Sequence, residues 1–204
     1  MIRLIVCDLD ETLLDSEKNV SENNRAAIRE FEARGGLFVP CTGRIYTSLE
    51  RTLSQLDALG KAGHYVISTN GALISENCGR VCCSKGVPAD KVQALIAHAR
   101  ANGMGVEVFA EDGTLYYEAI DARELRDLPL FVDDPLSLPE DVSFLRDVGV
   151  AKLLYERWDM PYLKQFAQQM DPALKEGLEI SFSSDRYIEI NAAGVNKGEG
   201  LRML

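Results

Sequence analysis

A chain of 204 residues, 46% hydrophobic and 26% charged, has the composition of an ordinary globular protein and room for one domain or two. Its net charge of −10 excludes a nucleic-acid backbone as the expected partner, because that kind of binding needs clustered Lys and Arg. No run of about 18 apolar residues occurs, and Met1-Ile2-Arg3 leads straight into a strand, so neither a membrane partner nor a signal peptide is expected and the expected location is cytoplasmic.

The first element is the apolar run Ile2-Arg3-Leu4-Ile5-Val6-Cys7, a strand ending in Asp8-Leu9-Asp10-Glu11-Thr12. Side chains alternate along an extended chain, so Asp8 and Asp10 point into one crevice at the carboxyl end while Leu9 points away. Two carboxylates in one crevice either take a proton or take a cation. A hard divalent ion such as Mg²⁺ accepts oxygens from both and keeps both ionised. An ionised carboxylate is also a covalent nucleophile in phosphoryl transfer. The plainer reading is a strand followed by an Asx-turn, with the acids bonding nearby backbone N–H groups.

Ser21 then caps a helix carrying Ala26, Ala27, Ile28 and Phe31, which stops at Gly35-Gly36. Residues 37–41 form a second strand ending at Thr42-Gly43-Arg44, and strand, helix, strand makes a right-handed crossover and a parallel pair. A helix over residues 45–59, a strand over 64–68 and a turn at Asn70-Gly71 follow, so three strand ends open on one side of a sheet. Thr42 and the backbone N–H of Gly43 could hold a phosphate oxygen there; taken alone, Thr42-Gly43-Arg44 reads as a helix cap with Arg44 exposed. Asn70-Gly71 taken alone is a simple turn, although it opens toward the same crevice.

From about residue 74 the pattern changes to hairpins, over residues 72–83 and 106–117, with a helix between Pro88 and Asn102. A Pro- and Asp-rich loop over 128–141 contains Asp133-Asp134, read as solvated charge. Beyond it lie a strand over 150–155, a helix over 160–170, and strands over 178–182 and 187–190. This α+β pattern marks an inserted domain over residues 84–184, with residues 1–83 and 185–204 forming the first domain. Lys197, after the candidate cap Asn196, could neutralise a phosphoryl group and a nucleophile; a lone Lys is otherwise simply solvated. The five cysteines are odd in number and lack C-x-x-C spacing, which argues against a disulfide framework or a zinc site. Cys7 and Cys41 read as small core residues, His64 and His98 as structural or surface groups, and Trp158 as a packing anchor.

Together, Asp8-Leu9-Asp10-Glu11-Thr12-Leu13-Leu14, Cys41-Thr42-Gly43-Arg44, Ser68-Thr69-Asn70-Gly71-Ala72, Tyr187-Ile188-Glu189-Ile190 and Asn196-Lys197-Gly198 resemble the ordered motifs of the haloacid dehalogenase superfamily, in its Cof-type, subfamily IIB branch. The resemblance implies an α/β fold: a Rossmann-like parallel-sheet core with an inserted α+β type IIB cap that closes over the phosphate site, where a loop such as residues 183–186 would select the substrate. It implies Asp8 as the nucleophile forming an aspartyl-phosphate and Asp10 as the acid and base. Thr42, Gly43 and Lys197 would bind phosphate, Arg44 and Asn70 would bind substrate, and Mg²⁺ would be held at Asp8 and Asp10. The implied activity is a Mg²⁺-dependent phosphatase for a small phosphorylated metabolite such as a sugar phosphate. A phosphosugar mutase is the alternative reaction on the same fold.

Two departures stand out. Glu11 occupies a position where the family often has Gly. Family members also continue past the lysine to a Gly-Asp-x-x-Asn-Asp type segment, which is absent from these 204 residues. The expectation is therefore a core incomplete at the C-terminus, covered by a homo-oligomer, with a weakly active or inactive binding protein as the competing reading.

Overall fold

The computed structural model describes residues 2–128, 132 and 134–204, so Met1 of the expected signal-free start and Asp133 of the expected loop charge lie outside the described residues. The chain divides into two compact units, Met1–Ser84 with Asn196–Leu204, and Lys85–Val195.

In the first unit, β1 (Leu4–Cys7) and β2 (Leu37–Pro40) pair in parallel, Leu4 opposite Leu37, across the helix α1 (Glu22–Ala33). Ser21 caps α1 by accepting the Asn24 N–H, and Gly35 turns the chain out of it at φ +83°. Alternation along β2 sends Phe38 into a cluster with Leu9, Leu13, Ile28 and Leu53, and Val39 into a second cluster with Cys41, Ile67 and Ile74. The helix expected over residues 45–59 is shorter: a 3₁₀ turn at Tyr46–Leu49 leads into α2 (Glu50–Gln55). It ends because the chain turns left-handed at Asp57, φ +53°, while Ala58 N–H donates back to Leu53 O. Next come β3 (Tyr65–Ser68), a 3₁₀ turn at Thr69–Gly71, β4 (Leu73–Glu76) and β5 (Val81–Ser84), the three strands pairing antiparallel. A parallel bridge between Cys41 and Ile67 joins β2 to β3.

The second unit contains α3 (Ala89–Ala101), β6 (Gly105–Ala110), β7 (Leu115–Glu118), α4 (Ala122–Asp127), β8 (Leu136–Ser137), α5 (Leu145–Val148), β9 (Val150–Glu156), α6 (Met160–Gln169), α7 (Pro172–Lys175), β10 (Leu178–Ser183) and β11 (Tyr187–Ala192). Its sheet has the order β10-β11-β9-β6-β7-β8. Val106, Val108, Leu153, Tyr155, Ile188 and Ile190 share a core with Leu95, Ile96, Leu163 and Phe166 of the helices. Half-buried His98 stacks on Tyr155 and lies tilted against Phe166 at the edge of this core. Trp158 is covered by the guanidinium groups of Arg123 and Arg186 at 4.0 and 4.8 Å.

The expected return to the first domain at residue 185 is corrected by this sheet. Ser184 and Asp185, both at positive φ, are the turn of a hairpin in which Ser183 faces Tyr187. β11 also pairs with β9 and sends Ile188 and Ile190 into the core, so it cannot be cut from the unit; the boundary falls after Val195.

The same alternation places Glu107, Lys152, Glu156, Tyr187 and Glu189 on the other face of the sheet. Glu107 and Glu156 are buried, and each has one carboxylate oxygen, Oε1, without a hydrogen-bond partner among the described residues. Burial first, and then the charge of Glu124, push the Glu107 carboxyl up to about 8. The folded unit therefore keeps a proton that the unfolded chain releases above the ordinary value of 4.5. The stabilisation is fully present below that value and is lost as pH rises through about 8, with a slope of up to about 1.4 kcal/mol per pH unit. Trp158, the single tryptophan, reports this unit in urea unfolding followed by fluorescence. Between about pH 5 and about pH 8 the midpoint of the parent should fall. Glu107→Gln should flatten that dependence, and an equally steep slope in the variant would assign it to another group.

Candidate active site

Asp8 leaves β1 in an extended conformation, and the next residue, Leu9, is fully buried, so burial of the leucine sends the acids on either side of it away from the core. A tight turn over Leu9–Leu13 follows, closed by Leu14 N–H donating to Leu9 O at 2.9 Å. Glu11 sits in this turn at φ +58°, the left-handed region. A glycine would sit there without the Cβ clash, which costs a side-chain-bearing residue about 1 kcal/mol.

The loops after β2 and β3 are tied to one another. Thr42 N–H donates to Ile67 O at 2.8 Å, Asn70 N–H to Thr42 O at 3.0 Å, and Thr69 N–H to Arg44 O at 2.9 Å. The Thr42 hydroxyl accepts the Arg44 N–H at 3.1 Å, so it shapes its own loop instead of capping the helix that follows. Thr69 and Asn70 are both left-handed, at φ +47° and +63°. Thr42, Gly43, Arg44 and Asn70 thus occupy one hydrogen-bonded double loop.

Lys197 opens α8 (Lys197–Met203), capped by Asn196, whose side chain accepts the Glu199 N–H at 3.0 Å. The helix lies against the Thr69–Gly71 turn because two glycines meet there. A Cβ on Gly71 would stand 2.5 Å from Asn196 O, and one on Gly200 would stand 2.7 Å from Ile67 Cγ2. That approach carries Lys197 Nζ to 2.7 Å from Asp8 Oδ1. Cys41 lies in the same field; burial pushes its thiol up to about 11, with Lys197 opposing and Asp8 adding to the rise, so it stays neutral.

Asp10 is held by a different pair of cations. Arg44 donates from Nε to Oδ2 at 2.8 Å and from Nη2 to Oδ1 at 2.5 Å, and Lys18 Nζ reaches Oδ1 at 2.9 Å. Burial alone would raise the Asp10 carboxyl, but the hydrogen bonds and charges of Arg44 and Lys18 prevail and hold it below the ordinary carboxylate range. Lys18 is the site residue that sequence reading missed. Its position depends on a local turn, and no spacing rule reveals that turn.

The donors suit a hard divalent cation. Oδ2 of Asp8 takes no hydrogen bond among the described residues, whereas both oxygens of Asp10 are engaged. Mg²⁺ is commonly held by one or two protein carboxylates with water and substrate phosphate completing the shell. Among the described residues no group of three or more His, Cys, Asp or Glu could hold a metal.

The fold and the paired acids define an α/β protein with an inserted α+β unit and two acids, each paired with cations, at the ends of its first strands. A family model for haloacid dehalogenase-like hydrolases matches residues 5–204, and the chain belongs to that family. The phosphatase YwpJ of Bacillus subtilis is 29% identical over 229 aligned residues, covering all of this chain and 78% of its own length. A haloacid dehalogenase-like hydrolase from Bacteroides thetaiotaomicron superposes with a TM-score of 0.84 at 22% identity, over all of this chain and 76% of that one. A subclass IIB sugar phosphatase gives a TM-score of 0.77 at 17% identity, over 99% of this chain and 74% of its own. At these identities the two structures establish the fold, and the family establishes a hydrolase. No helix among the described residues is long and apolar enough to cross a membrane.

The glycine contact is open to direct test. Gly200→Ala should push α8 off the Thr69–Gly71 turn, cost about 1–3 kcal/mol in urea unfolding, and weaken anion binding through displacement of Lys197. Arg202→Ala is the control, since that side chain lies 77% exposed on the same helix. Equal stability of the two variants would show that the close approach does not govern α8.

Proposed function

We propose that the chain is a Mg²⁺-dependent phosphatase that hydrolyses a small phosphorylated metabolite, a sugar phosphate or a similar monoester, through an aspartyl-phosphate on Asp8. The observation that carries this reading is the separate pairing of the two acids, Asp8 with Lys197 at 2.7 Å and Asp10 with Arg44 at 2.8 and 2.5 Å. Different partners give two neighbouring carboxylates different jobs.

Asp8 attacks phosphorus with a carboxylate oxygen and the ester P–O bond breaks; the charge of the bound anionic ester offsets Arg44 and Lys18, which keep Asp10 ionised in the free site, so that Asp10 can take up a proton and pass it to the leaving oxygen. Asp10, now a carboxylate, removes a proton from the water that attacks the aspartyl-phosphate. Inorganic phosphate and free Asp8 result. Lys197 offsets the charge of the nucleophile and of the phosphoryl oxygens, and the Thr42 hydroxyl and Gly43 N–H bind phosphoryl oxygens. Arg44 and Asn70 are the substrate-binding residues of this reading. Mg²⁺ would be held by the Asp8 carboxylate and the backbone carbonyl of Asp10, and when bound would supply charge neutralisation between an anionic nucleophile and an anionic substrate.

Asp8→Asn should lower hydrolysis of p-nitrophenyl phosphate on the order of a thousandfold or more without loss of the folded circular-dichroism spectrum. Chelation should abolish the parent's turnover and added Mg²⁺ should restore it. Parent-rate turnover by the asparagine variant would end the aspartyl-phosphate reading, and chelator-resistant turnover would end the metal requirement.

A further inference from the structure

Lys18 takes up a left-handed conformation, φ +61°, in a turn built with unusual care for a surface loop. The turn is closed by a bridge between Leu14 and Val20 and by Asp15 N–H donating to Asn19 O at 2.9 Å. Asp15 Oδ1 accepts the N–H groups of Glu17 and Asn19, each at 2.9 Å, and Lys18 N–H donates to Asp15 O at 3.0 Å. Side chains of α2 clamp the turn from beneath. Gln55 Oε1 accepts the Val20 N–H at 2.8 Å, while Arg51 and Gln55 donate to Asn19 Oδ1 at 2.6 and 2.7 Å.

Nothing in this scaffold calls for lysine at its left-handed corner. Glycine or asparagine would sit there with less strain. The ion pair gives little back in stability, because Lys18 and Asp10 side chains are 41% and 38% exposed and pairs of that kind contribute about 0–1 kcal/mol. What the corner does accomplish is aim an ammonium at Oδ1 of Asp10. That oxygen then receives both Lys18 Nζ and Arg44 Nη2, whereas Oδ2 receives Arg44 Nε. A carboxylate oxygen accepts about two in-plane bonds. The arrangement therefore saturates Oδ1 and leaves one acceptor direction, on Oδ2, for the proton that Asp10 exchanges.

We propose that Lys18 is a positioning residue for Asp10: it locks Oδ1 and thereby presents Oδ2 to the leaving oxygen and then to the attacking water. This inference rests on the phosphatase reading above. It concerns the orientation of Asp10 and assigns Lys18 no contact with substrate.

The test is a double-mutant cycle on the full chain with p-nitrophenyl phosphate and Mg²⁺. Lys18→Met should lower kcat by about tenfold with KM changed less than about twofold and the urea midpoint unchanged, since the lost contact acts in the chemical step. Lys18→Arg should restore most of the rate. In an Asp10→Asn background Lys18→Met should cost nothing further, because its effect runs through Asp10. A Lys18→Met protein at the parent kcat, or an equal fold loss in both backgrounds, would overturn the proposal. Asp8→Asn separates the two levels: if it abolishes turnover while Lys18→Met does not slow it, only the role of Lys18 falls; if it does not slow turnover, the phosphatase reading falls first.

Discussion

The site depends on one close contact between segments far apart in the chain. Lys197 and Asp8 are 189 residues apart, and their ion pair forms because α8 seats directly on the backbone of the Thr69–Gly71 turn. Two residues without side chains, Gly71 and Gly200, make that distance attainable, and the Gly71 φ of +97° shapes the turn to receive the helix. An ammonium 2.7 Å from a carboxylate at a partly exposed site adds little stability. Its value is positional: the geometry of glycine packing is converted into a charge placed against Asp8, the nucleophile of the proposed reaction.

Electrostatically the site is a local inversion of the molecule. The chain carries −10 overall, yet Asp8 and Asp10 are met by three cations, Lys18, Arg44 and Lys197, where the proposed ester would bind. Net charge governs long-range encounter and solubility, whereas the first few ångströms govern binding. The overall composition carries no information about this local arrangement. In the second unit the sign is reversed: Glu107, Glu124 and Glu156 lie buried near Arg186 and Lys152, and burial favours proton uptake by Glu107 and Glu156.

How far the sequence could be read follows from the range of each interaction. The strand before Asp8, the cap at Ser21 and the crossover to β2 depend on neighbours within a turn or two, and these are what alternation and capping rules describe. The place where the chain leaves the second unit is not legible in the sequence, because the run from Tyr187 to Ile190 resembles a motif of the first unit and only its pairing with β9 and β10 shows where it belongs. The helix expected over residues 45–59 is shorter in the structure because a left-handed Asp57 has no apolar-periodicity signal. Lys18 was invisible for a related reason: its partner, Asp10, is eight residues away around a turn whose course is set by Asn19, Arg51 and Gln55.

These misses share a physical origin with the site itself. Glu11, Lys18, Thr69 and Asn70 all have positive φ and none is glycine, and all four lie in the turns that carry Asp10, its cations and the double loop. Threonine is the least suited of them, since a β-branched side chain crowds the left-handed backbone. Local preference and observed conformation therefore disagree at the same positions where charge is being aimed. Such disagreement persists only when surrounding contacts over-determine the backbone, as the bond from Thr69 N–H to Arg44 O and the Asp15 bonds to the Lys18 turn do. A sequence rule that minimises local strain will smooth these turns into ordinary loops, and in doing so will erase the geometry that sets Asp8 and Asp10 apart.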